Sequence, residues 1–320
     1  MKDEGVILAF DTSNYTTSVS VMTESGELLA NIKQLLTVKE GERGLRQSDA
    51  VFSHTVNVPT LMSRAEEAIG GRRVLCVGVS ERPRNVEGSY MPCFLVGVAV
   101  AKSVASAMGV PLFSFSHQCG HVMAAVYSSG NESLLSAPFA AFHVSGGTTE
   151  LLRVRYDGHG FQTELLGGTL DLNAGQIIDR VGVYMGLSFP SGREMEALAL
   201  AYEGKVPERK IKVSDMSVNL SGLENIAKKM FDETGDRGLV SRFVFDSVGR
   251  VLTSLSEAYE EKYGRSSFVY AGGVMSNSII KNMLSERFCS NFAEPSMSSD
   301  NAVGIAELTR RAYKKERGFD

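Results

Sequence analysis

The sequence predicts an α/β protein of two lobes, in which each lobe is built on a mixed sheet with flanking helices. Predicted strands alternate with predicted helices along most of the chain, and this alternation favours parallel or mixed sheets. A strand–loop–strand pattern also recurs, because residues 9–13 and 141–145 both begin Ala-Phe and end in Ser. The 320 residues are enough for two ordinary domains or one large two-lobed protein.

The first half of the chain opens with three predicted strands. Short apolar runs rich in β-branched residues predict strands, and apolar residues at helical spacing predict helices. In order, we predict strands at 6–10, 18–23 and 28–32, a helix at 59–69, a strand at 73–79, a helix at 94–108 and a strand at 110–115. The polar stretches 43–54 and 204–218 are predicted as surface excursions.

The second half repeats the alternation of strands and helices. After the strand near residue 141, we predict strands at 151–156 and from the turn at 157–160 to Leu166, helices after the turns at 173–176 and 189–193, a helix at 242–263, a strand at 267–271, and helices at 277–288 and 302–317. We expect an N-terminal lobe of residues 1–136 and 299–320, and a C-terminal lobe of residues 137–298.

Composition is typical of soluble globular proteins. The chain is 43% hydrophobic and 22% charged, and its net charge of −4 argues against a strongly basic, autonomous nucleic-acid-binding protein. The apolar stretch 91–108 is interrupted by Lys102, so it predicts a buried helix rather than a membrane span. The four cysteines form no C-x-x-C pair, which is typical of reduced thiols. We therefore predict a cytoplasmic protein without a signal peptide or membrane contact.

Two histidines, His117 and His121, stand four residues apart, a spacing that places both on one face of a helix. They are either metal ligands or two side chains that merely share a face. Zinc peptidases with this spacing carry a glutamate general base after the first histidine, but Gln118 stands there and cannot accept the proton. A peptidase is therefore excluded, and Cys119 is interpreted as a structural thiol because it turns away from the face of the histidines.

A carboxylate before the last predicted helix is the candidate third ligand. Asp300 is either an N-cap of that helix or a metal ligand. Two imidazoles and one carboxylate make a common open site for zinc or iron(II), with positions left for water or substrate.

Two glycine-rich stretches follow predicted strands. The loop 144–149 is either a tight β-turn or a nest of amides suited to phosphate oxygens. Gly272 and Gly273 lie between a strand and a helix, where a nucleotide packs well on the backbone, and Asn277 is either a nucleotide contact or a helix cap. Asp179 follows a third glycine-containing turn and either binds a ribose hydroxyl or a metal-held water, or pairs with Arg180.

Together these motifs resemble the TsaD family, also called Gcp, in the same order and over nearly the whole chain. The residues that carry the resemblance are His117 and His121 for H-x-x-x-H, Val144 to Gly147 for V-S-G-G, Asp171, Asn173, Ala174, Gly175 and Asp179 for D-x-A-G-x-x-x-D, Pro190 to Gly192 for P-x-G, Ser221 to Leu223 for S-G-L, Gly272 to Asn277 for G-G-V-x-x-N, and Asp300 and Asn301 for D-N.

The resemblance implies a duplicated, actin/hexokinase-like (ribonuclease H-like) fold and a tRNA threonylcarbamoyladenosine synthase subunit. It implies that His117, His121 and Asp300 hold one divalent metal, iron or zinc. The residues expected to bind an adenylate or ATP-type nucleotide are Val144, Ser145, Gly146, Gly147, Thr148, Asp179, Gly192, Gly272, Gly273 and Asn277. We expect catalytic roles for Asp11 and Ser145. The implied partners are tRNA and a smaller, related TsaB-like subunit.

The sequence departs from the family pattern around several of these motifs. The opening loop 11–17 lacks two acidic residues, and the family's Gly-Pro-Gly-Leu loop is replaced by residues 82–88. Thr148 replaces a histidine, Gln176 replaces a glutamate, and Glu224 replaces a lysine. These changes indicate a divergent paralogue.

Three functions follow from these features. The first is a metal-dependent transferase that moves a threonylcarbamoyl group onto tRNA adenosine, and the second is a catalytically weakened paralogue that binds nucleotide or metal and works through protein partners. The third is an actin-like phosphotransferase that lacks the metal site. The presence of His117, His121 and Asp300 argues against this third function. The last predicted helix carries five basic residues: Arg310, Arg311, Lys314, Lys315 and Arg317. They form either a surface that binds tRNA or favourable charges at the C-terminus of a helix.

Overall fold

The structure is a computed structural model that describes residues 4–13, 15–37 and 45–318. It contains two compact units. Unit 1 comprises Met1–Glu132, Tyr156–Gln162 and Ser299–Asp320, and unit 2 comprises Ser133–Arg155 and Thr163–Ser298.

Eleven strands and ten α-helices alternate along the described part of the chain. The strands are β1 (Val6–Asp11), β2 (Thr16–Thr23), β3 (Leu28–Leu35), β4 (Val74–Arg82), β5 (Leu112–Ser116), β6 (Phe139–Val144), β7 (Thr149–Tyr156), β8 (Phe161–Thr169), β9 (Ser217–Val218), β10 (Ser267–Ala271) and β11 (Cys289–Phe292). The α-helices are α1 (Gln47–Ile69), α2 (Phe94–Met108), α3 (His117–Ser129), α4 (Ala174–Tyr184), α5 (Gly192–Leu200), α6 (Ser221–Thr234), α7 (Arg237–Tyr263), α8 (Ser278–Ser285), α9 (Pro295–Ser298) and α10 (Val303–Glu316).

The sheet of unit 1 has the strand order β3-β2-β1-β4-β5. The pairs β3–β2 and β2–β1 are antiparallel, and the pairs β1–β4 and β4–β5 are parallel. On one face, Leu8 and Phe10 pack with Leu61 of α1 and Ala101 of α2 in a buried apolar cluster. Successive side chains of a strand point to opposite faces. Asp11 therefore points to the opposite face, where α10 and α3 pack.

The helices α3 and α10 cross closely at two glycines. A Cβ at Gly304 of α10 would overlap the carbonyl oxygen of Gly120, and a Cβ at Gly120 of α3 would lie 2.9 Å from Ile305 Cδ1. Larger residues would push the helices apart, so glycine permits this approach. The crossing brings the first turn of α3, which carries the histidine pair, next to the segment that leads into α10.

The sheet of unit 2 has the strand order β11-β10-β6-β7-β8-β9. The strand β6 pairs antiparallel with β7 and parallel with β10, as β1 pairs with β2 and β4. The order β8-β7-β6-β10-β11 therefore repeats β3-β2-β1-β4-β5, with β9 as an additional edge strand. This repetition confirms the predicted α/β fold with a duplicated mixed sheet. The core of unit 2 includes Phe142, Phe243, Leu252 and Tyr270.

The prediction of a surface excursion at 43–54 is wrong for its second half, because α1 begins at Gln47. Residues 38–44 lie outside the described part of the chain. Two polar residues of this helix are buried and hydrogen-bonded: His54 Nδ1 lies 2.9 Å from Thr17 Oγ1, and Asn57 Oδ1 accepts from Gln34 at 2.8 Å. Apolar periodicity does not detect a helix whose inner face is polar.

Two further differences concern the helices of unit 2. No helix is predicted from the sequence where α6 lies, and α7 begins at Arg237 rather than at residue 242. Asp236 caps α7 by accepting from the Leu239 amide at 2.9 Å. Among the described residues, no helix is both long enough and apolar enough to cross a lipid bilayer.

Candidate metal centre and candidate nucleotide-binding loop

The histidine pair occupies the first two turns of α3. Ser116 caps the helix by accepting from the Cys119 amide at 3.3 Å, so the helix begins at His117 itself. The ring centroids of His117 and His121 are 4.4 Å apart, and both side chains are buried. The spacing of four residues therefore places both imidazoles on the same helix face, as predicted.

Asp300 faces this pair from the segment before α10. Its Oδ1 lies 3.1 Å from His121 Nε2 and 3.4 Å from His117 Nε2. The alternative role, capping of α10, is filled by Asn301, whose Oδ1 accepts from the Val303 amide at 2.9 Å. The neighbouring residue thus leaves the Asp300 carboxylate available to the histidines.

Asp11 lies behind His117 at the end of β1. Its Oδ2 is 2.8 Å from His117 Nδ1, and its Oδ1 accepts from the Ser13 amide at 2.8 Å. A carboxylate on one ring nitrogen fixes the tautomer and turns the other nitrogen toward its ligand. Asp11, predicted as catalytic, is therefore placed to orient His117.

These residues fit a metal ion. His117 Nε2 is buried and finds no hydrogen-bond partner among the described residues, although it lies opposite a carboxylate oxygen. The ligand atoms of His117, His121 and Asp300 all lie within 4.8 Å of one another. A tetrahedral ion with bonds of about 2.0–2.2 Å brings its ligand atoms about 3.4 Å apart. Two imidazoles and a carboxylate suit zinc or iron(II), and positions remain for water or substrate.

The electrostatics of the cluster favour a positive charge between its ligand atoms. Burial by itself would lower the pKa of His117, but the carboxylates of Asp11 and Asp300 outweigh burial and raise that pKa to about 10. Burial would raise the pKa of Asp300, but the adjacent imidazoles of His117 and His121 hold that pKa well below its usual range. A cation at this position is thus stabilised from several sides.

The sequence reasoning missed Lys33, which lies beside the cluster. Its Nζ donates to Ser299 Oγ at 3.1 Å, next to Asp300. Burial lowers the pKa of Lys33, and the Asp300 carboxylate partly offsets that effect. A signal was present in the strand pattern, because Lys33 alternates with the buried Ile32 and so belongs to the opposite, polar face of β3.

The glycine-rich loop between β6 and β7 is open. The Ser145 amide donates to Thr148 O at 2.7 Å, and Ser145 Oγ accepts from the Gly147 amide at 3.3 Å, so the loop is a tight turn. Gly146 and Gly147 are exposed, and a Cβ on either would meet nothing within 4 Å. Packing therefore does not account for these glycines, and their backbone is accessible for the close approach of a ligand.

Two other glycines hold this loop against its neighbours. A Cβ at Gly175 of α4 would lie 2.7 Å from the backbone of Ser145 and Gly146. Gly272 has φ +99°, and its Cβ would overlap the carbonyl group of Val144. The structure thus brings together three of the predicted stretches at one end of the sheet of unit 2.

Asn277 serves as a helix cap and keeps a further donor. Its Oδ1 accepts from the Ile280 amide at 3.0 Å and so caps α8. Its Nδ2 is buried and has no hydrogen-bond partner within the described ranges. A buried amide donor without a partner is costly. A nucleotide acceptor at this point would satisfy it, so the two readings of Asn277 are compatible.

Asp179 of α4 contacts the segment that leads into α5, whose first residue is Gly192. Asp179 Oδ1 accepts from the Ser191 amide at 2.8 Å, directly before Gly192. Burial raises the pKa of Asp179, and the Ser191 amide opposes that effect. Arg180 does not pair with Asp179, because its Nη1 contacts Glu224 Oε2 at 3.3 Å.

Several departures from the family pattern are matched by local contacts. Glu224 is buried and also accepts from Lys228 Nζ at 2.6 Å, so the reversed charge is compensated within unit 2. Gln176 Oε1 accepts from the Asn173 amide at 3.1 Å and completes a capping box at the start of α4. In unit 1, Asn85 of the altered loop 82–88 donates to Cys119 Sγ at 3.1 Å, and that thiol is buried.

Several of the basic residues of α10 form hydrogen bonds or ion pairs within unit 1. Arg310 is buried and donates to both oxygens of Glu307, and Arg311 contacts Glu307 and Glu132. Lys315 donates to the carbonyl oxygen of Asp157 at 2.9 Å. These contacts make Arg310 a structural residue rather than part of a tRNA patch.

Comparison with known proteins finds one family over most of the chain. The sequence model of TsaD, tRNA N6-adenosine threonylcarbamoyltransferase, matches residues 28–307. A tRNA N6-adenosine threonylcarbamoyltransferase of Streptococcus sanguinis (strain SK36) is 33% identical over 297 residues, which cover 89% of this chain and 84% of the relative. One of Streptococcus pneumoniae (strain Taiwan19F-14) is 32% identical, with 100% of this chain and 96% of the relative covered.

Solved structures with low sequence identity support the fold alone. Full-length HypF, in its phosphate- and nucleotide-bound form, has a TM-score of 0.60 at 12% identity, covering 98% of this chain and 47% of HypF. Component A of (R)-2-hydroxyglutaryl-CoA dehydratase from Acidaminococcus fermentans has a TM-score of 0.51 at 13% identity, covering 97% of this chain and 98% of component A. These similarities confirm the predicted actin/hexokinase-like fold.

Proposed function

The chain belongs to the TsaD family of tRNA N6-adenosine threonylcarbamoyltransferases, and on that premise we propose that it moves a threonylcarbamoyl group from an adenylate anhydride onto an adenosine of tRNA. The observation that carries the proposal is the cluster of His117, His121 and Asp300, backed by Asp11. This arrangement buries charged groups and leaves His117 Nε2 without a hydrogen-bond partner. Both features are unfavourable in an empty site, and a bound cation would account for them.

The proposed reaction is an acyl transfer. The exocyclic nitrogen of adenosine forms a bond to the carbonyl carbon of the threonylcarbamoyl group, the bond from that carbon to the phosphate oxygen breaks, and AMP leaves while the nitrogen loses a proton. No covalent intermediate with the protein is needed, so the protein acts by binding and orienting the reactants.

The residues of unit 1 are assigned to the metal. His117, His121 and Asp300 would hold one iron or zinc ion, which supplies Lewis-acid polarisation of an acyl-phosphate oxygen. Asp11 acts through His117: it holds the proton on Nδ1 and keeps Nε2 directed toward the ligand position. We therefore assign Asp11 as a positioning residue.

The residues of unit 2 are assigned to the adenylate. The loop Val144, Ser145, Gly146, Gly147 and Thr148, exposed at its two glycines, approaches phosphate or ribose oxygens with its backbone, and Gly272 and Gly273 leave the neighbouring backbone accessible. Asn277 Nδ2 donates to a nucleotide acceptor, and Asp179 Oδ2 accepts from a ribose hydroxyl beside Gly192. The Ser145 hydroxyl, which accepts from the Gly147 amide, keeps its own proton for the reacting group.

The second candidate is a catalytically weakened paralogue that binds nucleotide or metal and works through protein partners. It is favoured by the loop 11–17, in which Asp11 is the sole acidic residue, and by Glu224, which neutralises Arg180. Residue Asn14 of this loop lies outside the described part of the chain.

We also propose a smaller, related partner subunit and a cytoplasmic location. In unit 1, α1 and α2 contact each other and carry large exposed apolar residues, with Phe52 71% exposed, Val56 56% and Leu95 52%. An apolar surface on a helix pair is suited to a protein partner. The tRNA substrate of the proposed reaction supports the proposed cytoplasmic location.

Complementation tests the proposal. A strain that lacks its own TsaD homologue is supplied with this chain, and N6-threonylcarbamoyladenosine is measured in its tRNA nucleosides by mass spectrometry. We expect the modification to return, and we expect no return with the His117→Ala/His121→Ala variant expressed at the same level. Binding of metal and AMP without any modification would favour the second candidate, and the absence of all three would overturn both.

A further inference from the structure

An exposed aromatic side chain lies on the turn 188–191, between α4 and α5 of unit 2. Phe189 is 75% exposed and does not belong to the buried core of that unit. The chain is anchored on both sides of it, because Leu187 packs in the core and Ser191 is fully buried. Single exposed apolar residues are common on protein surfaces, so exposure alone indicates no role. The position of this one does.

Hydrogen bonds and close packing fix this turn on α4. The Ser191 amide donates to Asp179 Oδ1 at 2.8 Å, and Ser191 Oγ donates to the carbonyl oxygen of Ser188 at 2.9 Å. A Cβ at Gly182 of α4 would overlap Ser191 Cβ, so the missing side chain lets the turn pack directly on the helix. The aromatic ring of Phe189 is therefore carried by a turn whose backbone is held in place.

One face of α4 carries both this turn and the glycine-rich loop between β6 and β7. Gly175 packs against the backbone of that loop, whereas Asp179 and Gly182 contact the turn. These three residues follow one another at spacings of four and three, which defines a single helix face. Four residues of an α-helix span about 6 Å. Along this face the loop comes first, Asp179 second, and the turn with Phe189 third.

This order matches the order of the parts of one nucleotide. In the proposed function, the loop binds phosphate or ribose oxygens and Asp179 accepts from a ribose hydroxyl. The base is joined to the ribose, so it continues past Asp179 in the direction of the turn. An exposed aromatic ring at that place suits a purine, because stacking needs only a flat apolar surface on each partner.

We propose that Phe189 stacks on the purine base of the nucleotide bound at the glycine-rich loop. This inference rests on the nucleotide site of the proposed function, which it extends from the phosphate and ribose to the base. Every purine has a π face, so the contact adds affinity without distinguishing adenine from guanine.

Two other roles for Phe189 make different predictions. If Phe189 only shapes the turn, its removal also disturbs Asp179, and binding of ribose 5-phosphate weakens together with binding of AMP. If Phe189 stacks on an unpaired base of RNA instead, its removal weakens binding of tRNA and leaves binding of AMP unchanged.

The test compares AMP with ribose 5-phosphate, which keeps the phosphate and the sugar but lacks the base. Calorimetric titrations of the full chain measure both affinities for the unchanged chain, for Phe189→Ala and for Phe189→Leu, which keeps apolar bulk without a π face. GMP and a tRNA transcript are titrated in the same way. Leu165→Ala is the control, since Leu165 is 57% exposed on β8 of the same unit. Melting temperatures confirm that each variant is folded.

A fluorescence measurement tests the contact without removing the aromatic ring. The chain contains no tryptophan, so Phe189→Trp introduces a single indole fluorophore at the turn. A purine stacked on the indole quenches its emission. We expect AMP and GMP to quench this fluorescence and ribose 5-phosphate to leave it unchanged.

We expect Phe189→Ala to weaken binding of AMP and GMP by about tenfold or more, and to leave binding of ribose 5-phosphate within about twofold. Phe189→Leu should lose part of the AMP affinity, Phe189→Trp should retain it, and Leu165→Ala should match the unchanged chain. Unchanged AMP affinity in Phe189→Ala, with or without a loss of tRNA binding, would overturn the proposal. So would an equal loss for AMP and ribose 5-phosphate, or emission of Phe189→Trp that AMP does not quench.

Failure of the proposed function has a separate signature. If the unchanged chain binds neither AMP nor ribose 5-phosphate, the nucleotide assignment and this inference are both wrong. If the unchanged chain binds AMP and Phe189→Ala shows the expected loss, but no tRNA is modified, the stacking contact stands and the transfer activity is contradicted.

Discussion

The loop after β1 and the loop after β6 occupy the same position in two sheets of the same strand order, but the first is buried and the tip of the second is exposed. In unit 1, Asp11, Thr12 and Ser13 are buried, and Thr12 Oγ1 donates to Cys93 O at 2.9 Å and accepts from the Gly97 amide at 3.0 Å. In unit 2, Gly146 and Gly147 are exposed, and a Cβ on either would meet nothing within 4 Å. We call the loop after β1, which is packed around the Asp11 carboxylate, the closed loop, and the loop after β6, whose glycines are exposed, the open loop.

This difference shows how one backbone plan supports two kinds of site. A closed loop fixes the direction of a side chain, which is what an imidazole ligand needs from Asp11. An open loop of glycines offers its backbone, which is what a phosphate or ribose needs. The variants below separate these two roles.

The largest effect on metal binding and activity is expected from removal of both histidines of the metal cluster in unit 1. His117→Ala/His121→Ala should abolish stoichiometric metal, and the transfer activity should fall on the order of 100-fold or more because no ligand pair remains. Metal analysis of purified protein provides the measurement. His159→Ala, an exposed histidine of unit 1, is the control, and metal retained by the double variant would contradict the assignment.

A smaller loss is expected when the closed loop no longer orients its histidine. Asp11→Asn keeps the size of the side chain but weakens its hold on His117 Nδ1, so metal affinity should fall by about 10–100-fold. Titration with Zn²⁺ or Co²⁺ measures the change. Ser13→Ala keeps the backbone amide that contacts Asp11 and should leave the affinity unchanged, so an equal loss in both variants would refute the positioning role.

The open loop is tested by two glycine substitutions with opposite expectations. Gly175→Ala should lower the free energy of unfolding by about 1–3 kcal/mol, because its Cβ would lie 2.7 Å from the backbone of Gly146. Gly146→Ala should leave stability within about 0.5 kcal/mol and weaken AMP binding about tenfold. Urea unfolding and calorimetric titration measure the two quantities. Normal AMP affinity in Gly146→Ala would show that the loop is open without serving a nucleotide.

The two roles of Asn277 can be separated at the helix next to this loop. Asn277→Ala should cost about 1 kcal/mol of stability through loss of the α8 cap. Asn277→Asp keeps an oxygen for the Ile280 amide but replaces the unpartnered Nδ2, so stability should be retained while AMP binding falls roughly fivefold. Retained AMP binding in Asn277→Asp would leave the cap as the function of this residue.

The smallest effect concerns the acid stability of the segment between β8 and α4, which contains Asp171. Burial would raise the pKa of Asp171, but the Ser221 hydroxyl and the amides of Leu220, Ser221 and Leu172 lower it to about 2. Because the folded pKa lies below the usual value, Asp171 stabilises the fold above roughly pH 4, and this contribution is lost as the pH falls toward 2. Urea midpoints of Asp171→Asn and the unchanged chain should differ slightly at pH 5, and the gap should narrow as the pH falls toward 2. A gap that is constant with pH would exclude this linkage.

Much of the candidate site followed from the sequence because its residues sit in local patterns. The spacing of His117 and His121 is a property of one helix, and Gly146 and Gly147 mark a turn between two strands whatever surrounds them. Asp11 was predicted as catalytic, and its contact with His117 Nδ1 was not foreseen, since a carboxylate at a strand end gives no indication of which side chain it will contact. Lys33 was missed because its partner Ser299 is far away in the sequence.

The sequence by itself determined the two strand–loop–strand units, the helix face that bears both histidines, and the family, because each rests on short-range periodicity or on motif order. Only the tertiary structure decided that Asp300 joins the histidines while Asn301 caps α10, and that Asp11 and Lys33 flank the same cluster. These outcomes depend on the close crossing of α3 and α10 at Gly120 and Gly304 and on the register of β1 with β2 and β3. Such long-range contacts are set by packing, which no local pattern contains.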